Sequence, residues 1–151
     1  MAAIANGMYL HGGVRPYVST FFAFSDYMKN AIRMSALMKL PILYIFTHDS
    51  IGVGEDGPTH QPIEHLTGLR SMPDLDVYRP ADARETAAAY ISAVKGEYPT
   101  CIVCSRQDLP PLVGSGKDAL KGGYVISDMQ DYEAIILSAG SEVCVAIDCL
   151  L

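Results

Sequence analysis

Two short runs constrain this chain more than any others: "LPILYIF" at 40–46 and "TCIVCSR" at 100–106. Their apolar, β-branched cores lack polar alternation, which predicts strands buried on both faces of a sheet. Strands of that kind belong to parallel sheets, whose neighbours are joined by crossovers that are usually helical. The intervening sequence supplies them. "IEHLTGLRS" reads as a short helix, "DLDVYRP" as a strand stopped by Pro80, and "DARETAAAYISAVKG" as an alanine-rich helix capped by Asp82. The alternation predicts an α/β fold of three layers, α/β/α, around a mostly parallel sheet.

Upstream, "MAAIANGMYL" reads as a helix that "HGG" at 11–13 brings to a stop. It starts abruptly, without a polar lead-in, and so predicts that the domain's beginning is missing. Positions 21, 24, 27, 28, 31, 32, 35 and 38, all apolar except Ser35, predict one helix from Phe21 to Met38, with Ser19 or Thr20 as its N-cap. Beyond Arg106, "QDLPPLVGSGKDALKGGYV" is rich in Pro and Gly and reads as a linker, while "EAIILSAGSEVCVAIDCLL" reads as a fresh strand and helix. The expected organisation is a domain over 1–110, a linker over 111–130 and the start of a second domain over 131–151.

A length of 151 residues, half of them apolar, suits a single packed core, and a net charge of -6 argues against nucleic acid or anionic membrane as a partner. No apolar stretch reaches bilayer length and no signal peptide is visible, so the expected setting is soluble and cytoplasmic. Cys101 and Cys104 point to opposite faces of a strand, and Cys144 and Cys149 diverge on a helix, so all four are expected as free, buried thiols.

The candidate site is the segment "THDSIGVGEDGPTHQP" at 47–62, which leaves the carboxyl end of the first buried strand, where open α/β sheets bind ligands. It carries His48, Asp49, Glu55, Asp56 and His60 among Gly52, Gly54 and Gly57. Histidines can transfer protons near neutrality and carboxylates can hold hydroxyls, which points to a polar small molecule. A metal site and a solvated acidic turn are the rivals, but no two of these residues share a chelating spacing, so none is assigned as a metal ligand. Phe21, Phe24 and Tyr27 form a stripe that fits core packing or a face for a flat ring. Arg106, at the end of its strand, fits a phosphate clamp or an ion pair with a loop acid. Asp118 with Lys117 and Lys121, and Glu85 with Arg84, read as solvated charges.

Together, "STFFAFSDYMKNAIRMSAL", the whole of 47–82, "SRQDLP" and "KGGYVISD" resemble the transketolase family, whose members use thiamine diphosphate to move a two-carbon ketol unit between sugar phosphates. The resemblance implies the pyrimidine-type domain of the thiamine-diphosphate fold, without its first strand and helix, followed by the opening of the C-terminal domain. Dihydroxyacetone synthase and deoxyxylulose phosphate synthase are sister enzymes, and "GVGEDGPTHQP" favours the transketolase side. It implies that Phe21, Phe24 and Tyr27 hold the cofactor's aminopyrimidine, and that His48, Asp56, His60 and Arg106 contact a sugar phosphate, with His60 at its reacting end. The family's activating glutamate would fall three residues before Met1, and the domain that binds Mg2+ and the diphosphate is not in this sequence. The implied partner is therefore a second subunit or a diphosphate-binding domain, in a homodimeric enzyme of the pentose phosphate pathway. Alone, the chain is expected to be inactive. The competing expectation is a non-catalytic pyrimidine-domain protein that associates with a partner chain. An open sheet edge and an exposed apolar face are expected at the N-terminal side.

Overall fold

A computed structural model describes residues 1–150. Its elements are α1 (Ala2–His11), β1 (Tyr17–Phe21), α2 (Lys29–Leu37), β2 (Leu43–Thr47), α3 (His65–Arg70), β3 (Asp76–Tyr78), α4 (Ala83–Lys95), β4 (Thr100–Val103) and α5 (Glu142–Asp148). The four strands form one wholly parallel sheet in the order β1-β2-β4-β3. The two apolar runs are its central strands, as continuous burial requires.

Strand alternation sorts the side chains into two layers. Tyr44 and Phe46 pair in register with Cys101 and Val103, and these four join Val18, Phe22, Ile32 and Leu69 in the main core, under α1, α2 and α3. Ile102 points to the other face, where α4 packs with Ala88, Ala89 and Ala93 buried. The polar centre of the first layer is fully satisfied. Ser35 Oγ lies 2.6 Å from Tyr44 Oη and donates to Asn6 Oδ1 at 2.7 Å, while Asn6 Nδ2 donates to the Ala31 carbonyl. Burial pushes the Tyr44 phenol up to about 12, with the Ser35 hydrogen bond opposing it, so Tyr44 stays neutral as a network member.

The single helix expected over Phe21–Met38 divides into three. Ser19 and Thr20 are not caps but strand residues, paired with Ile45 and Phe46, and Phe21 ends β1 opposite Thr47. A 3-10 segment follows over Phe22–Tyr27, and α2 begins only at Lys29. A helical spacing of apolar residues arises here because Met28, Ala31 and Ile32 pack in the core while Phe21, Phe24 and Tyr27 face away from it. Residues 133–138, expected as a strand, carry none; all four strands lie between 17 and 103 and no neighbouring chain segment pairs with them. Of the cysteines, all are free as expected but only Cys101 is buried; Cys149 is exposed.

At the N-terminal side, β1 is an edge of the sheet, Tyr17 is exposed, and α1 leaves Ile4, Met8 and Leu10 uncovered. Arg15 anchors the approach to β1 by donating to the carbonyls of Ala93, Val94 and Gly96 at the end of α4 and to that of Pro41. Cationic donors at a helix C-terminus satisfy carbonyls that lack intrahelical partners.

Asp82 caps α4 as the sequence predicts, accepting from the backbone of Arg84 and Glu85 at 3.0 and 2.9 Å. Its other oxygen holds the linker, accepting from the Leu112 backbone at 3.0 Å and from Ser115 Oγ at 2.5 Å. Glu85, read as solvated, instead accepts from the Ala81 backbone and from the Tyr124 hydroxyl, so it too ties the linker to α4. The Asp118–Lys121 pair is exposed as expected.

Burial raises the Asp82 carboxyl, but the hydrogen bonds from Ser115 and the backbone outweigh it and hold the group below its ordinary 3.8. A carboxyl depressed in the folded state stabilises the fold above its unfolded value, and that contribution is lost as pH falls through the folded value. Hydrogen-exchange protection of residues 112–124, taken relative to the intrinsic exchange rate at each pH, should therefore be constant around neutral pH and fall only below about pH 4. An Asp82→Asn variant should lose that acid dependence, and an unchanged acid profile would contradict the assignment.

Candidate functional site

Because the sheet is wholly parallel, the carboxyl ends of all four strands lie on one side. Phe21, Thr47, Val103 and Tyr78 end the strands there, so Phe22–Tyr27, the 48–62 loop, Cys104–Arg106 and Arg79 all emerge together.

Phe21 and Phe24 lie nearly parallel, with centroids 6.1 Å apart, and Tyr27 continues the row at 6.1 Å from Phe24. Phe22 alone of this segment's aromatics is core; Tyr27 is 87% exposed and Phe21 and Phe24 are half-buried. The stripe is therefore an open aromatic face. His48 stacks on Phe21 at 3.7 Å between centroids, and His60 meets Phe24 edge-on at 5.3 Å. Each imidazole has its Nδ1 beside a threonine hydroxyl, Thr47 at 3.0 Å and Thr59 at 2.9 Å, which fixes the ring's rotation. Two histidines thus border one aromatic face, as a site for a flat ring joined to a polar substrate requires.

The 48–62 loop is built from short 3-10 turns over Ile51–Asp56 and Pro58–His60. Val53 is its buried anchor, while Glu55 and Asp56 are exposed. Gly54 has φ +76° and faces Arg106: a Cβ there would lie 3.9 Å from the guanidinium carbon. Arg106 is exposed and joins no ion pair among the described residues, so the reading of a salt bridge to a loop acid is not met. Its guanidinium is available on the same side as His48, Asp56 and His60.

What sequence reasoning missed is the support beneath the loop. His48 has φ +61°, in the left-handed region that costs a residue with a Cβ about 1–3 kcal/mol unless its surroundings enforce it. The next residue enforces it. The Asp49 side chain is 1% exposed, and Arg79 donates to its Oδ2 from Nε at 2.8 Å, with Nη2 at 2.7 Å. Arg79 also donates to the Ala139 carbonyl at 3.0 Å and to both carboxylate oxygens of Glu142. Burial opposes the Arg79 charge, but the two carboxylates more than restore it; the same contact holds Glu142 low despite its own partial burial. Burial raises the Cys104 thiol, and the Asp49 charge adds to that, so this cysteine is no nucleophile. The signal was available in "VYRP": an arginine just after a strand of a parallel sheet sits at the ligand-binding end, as Arg106 does. A second group that the sequence did not bring together is Asp26, Glu64 and His65, each of which offers one polar atom within 4.8 Å of the others.

The chain matches the family model described as "Transketolase, pyrimidine binding domain" over residues 1–111. It is 56% identical over 150 residues to a probable transketolase of Streptococcus pneumoniae, which covers 97% of this chain and 23% of that protein. Its structure is similar to a transketolase of Pichia stipitis in complex with sedoheptulose 7-phosphate, with a TM-score of 0.94, 47% identity, and coverage of 99% of this chain and 23% of the other. A split-gene transketolase described as an inactive β4 tetramer is also similar, with a TM-score of 0.60 and 30% identity over 76% of this chain and 36% of its own. The chain thus spans about 23% of the length of the curated relative it matches.

The Arg79 clamp leaves no room at Gly140, whose φ is +65° and whose Cβ would fall 2.8 Å from both Cγ and Nε of Arg79. A Gly140→Ala substitution should destabilise the attachment of residues 139–148 by about 1–3 kcal/mol. Limited proteolysis would read this as faster cleavage in that segment with the 1–110 region still resistant, and unchanged cleavage would argue against the clamp.

Proposed function

The chain belongs to the transketolase pyrimidine-binding domain family, and from that membership we propose that its aromatic face takes the aminopyrimidine of thiamine diphosphate and its histidine-rich loop takes a sugar phosphate. The observation that carries this reading is the open face of Phe21, Phe24 and Tyr27 bordered by His48 and His60. A core stripe would leave no such face exposed. The residues fit the group: two half-buried phenyl rings and an exposed tyrosine offer stacking surface for one flat heteroaromatic ring. Thiamine diphosphate, when bound, supplies the carbon nucleophile of two-carbon ketol transfer.

The chain's own residues bind and orient. His60, held by Thr59 and lying against Phe24, is placed to hydrogen-bond the reacting end of a ketose. Asp56 accepts from a hydroxyl near the reacting carbon. Arg106 and His48 donate to the phosphate, whose charge matches a guanidinium that no carboxylate among the described residues neutralises. The diphosphate and its Mg2+ are assigned to a domain outside these 151 residues, so that a complete site forms between this surface and a second subunit. The 151 residues alone then hold half a site and do not turn over. The setting we propose is a cytoplasmic, homodimeric enzyme of the pentose phosphate pathway. No helix among the described residues is long and apolar enough to cross a membrane.

A second reading is a non-catalytic pyrimidine-domain chain completed by a separate partner chain. It is favoured by the likeness to a split-gene transketolase described as an inactive β4 tetramer.

In the complete enzyme, Arg106→Ala should raise KM for a phosphorylated donor by about tenfold or more, the loss of one charge-assisted contact, while leaving an unphosphorylated donor nearly unaffected. Equal effects on both donors would remove Arg106 from phosphate recognition.

A further inference from the structure

His65 opens α3 with its side chain only 8% exposed, and its two ring nitrogens meet different surroundings. Nε2 lies 3.2 Å from Asp26 Oδ2, within ion-pair distance. Nδ1 is buried and has no hydrogen-bond partner among the described residues, yet Glu64 Oε2 faces it at 3.9 Å. With the proton on Nε2, the nitrogen that faces Asp26, Nδ1 presents a lone pair towards a carboxylate, and two acceptors face each other across a gap. Neither Asp26 nor Glu64 pairs with a lysine or arginine among the described residues.

A cation in that gap resolves the conflict. We propose that His65 Nδ1 and Glu64 bind a divalent transition-metal ion of the zinc type, with Asp26 as the carboxylate that orients the histidine from behind. Metal-bound histidines commonly donate their second ring N–H to a carboxylate, and an imidazole with a carboxylate suits Zn2+ better than Mg2+ or Ca2+. The ligand atoms of the three residues lie within 4.8 Å of one another. Two ligand atoms on a tetrahedral Zn2+ stand about 3.4 Å apart, and Glu64, whose side chain is 77% exposed, can close from 3.9 Å by turning its carboxylate. An adjoining pocket of about 400 Å3, lined in part by Phe24, Tyr27, Thr59 and Gln61, leaves room for solvent to complete the coordination. A protonated His65 between the two carboxylates is the metal-free alternative, but it leaves the Nδ1–H 3.9 Å from Glu64 Oε2, beyond hydrogen-bond distance.

The test is calorimetric titration of Zn2+ into the 151-residue chain, with long-range 1H–15N spectra of the histidine rings. One saturable equivalent is expected, with the His65 Nδ1 resonance shifting on binding. His65→Gln should abolish the site, Glu64→Gln should weaken it at least tenfold, and Asp26→Asn should weaken it about 10–100-fold. Circular dichroism checks that each variant is folded. Should His65→Gln fail to fold, the wild-type spectra decide alone, because a shift at His65 Nδ1 supports the site. Absence of saturable binding, saturable binding that persists in folded His65→Gln, or a His65 Nδ1 resonance that does not move would overturn it.

Discussion

The buried ion pair between Arg79 and Asp49 is the interaction on which the working end of this molecule depends. The Asp49 side chain is buried at 1% exposure, and Arg79 reaches it across β4 from the end of the edge strand β3. Removing one partner of such a pair costs about 3–5 kcal/mol, because the other charge is left buried and uncompensated. The pair fixes the backbone at the exit of β2, and the adjacent His48 is thereby held at positive φ with its ring on Phe21. The same guanidinium takes Ala139 and Glu142, so the C-terminal segment and the loop share one anchor. A site facing outward is thus built on a charge facing inward.

This division of labour explains how residues from three separate stretches of sequence form one surface. Parallel strands bring their carboxyl ends to one side, the register of β1 against β2 sets Phe21 beside Thr47, and β4 delivers Arg106 next to Gly54. None of the proposed substrate contacts needs the exposed loop to be rigid throughout. Val53, Asp49 and the two threonine–histidine contacts are enough to fix where the imidazoles stand.

Much of the scaffold was legible in the sequence. The two apolar runs identified the central strands because burial on both faces leaves no polar alternation, and Asp82 announced α4 because its carboxylate stands just before a helical, alanine-rich run. The segment from Phe21 to Met38 misled for a physical reason. Its apolar residues serve two faces, with Met28, Ala31 and Ile32 packed in the core and Phe21, Phe24 and Tyr27 on the aromatic surface, and their sum mimics one helical stripe. The family resemblance pointed to His48, Asp56, His60 and Arg106, whereas Arg79, although "VYRP" places it at the ligand-binding end, Glu85 and the Asp26–Glu64–His65 group were hidden in their contacts. Their partners lie 30 to 63, 39, and 38 to 39 residues away or are set by the turn before α3, and no local pattern reports such contacts.

The measurement that tests this account most directly is the NMR spectrum of the His48 ring. Stacked on Phe21, its ring protons should be shifted upfield and give cross-peaks to the phenyl protons. In Arg79→Lys, which keeps a charge but loses the planar pair of donors, the shift and the cross-peaks should weaken while the Tyr44 network stays intact. A His48 ring that keeps its position on Phe21 in folded Arg79→Lys would contradict the claim that the buried pair positions the site.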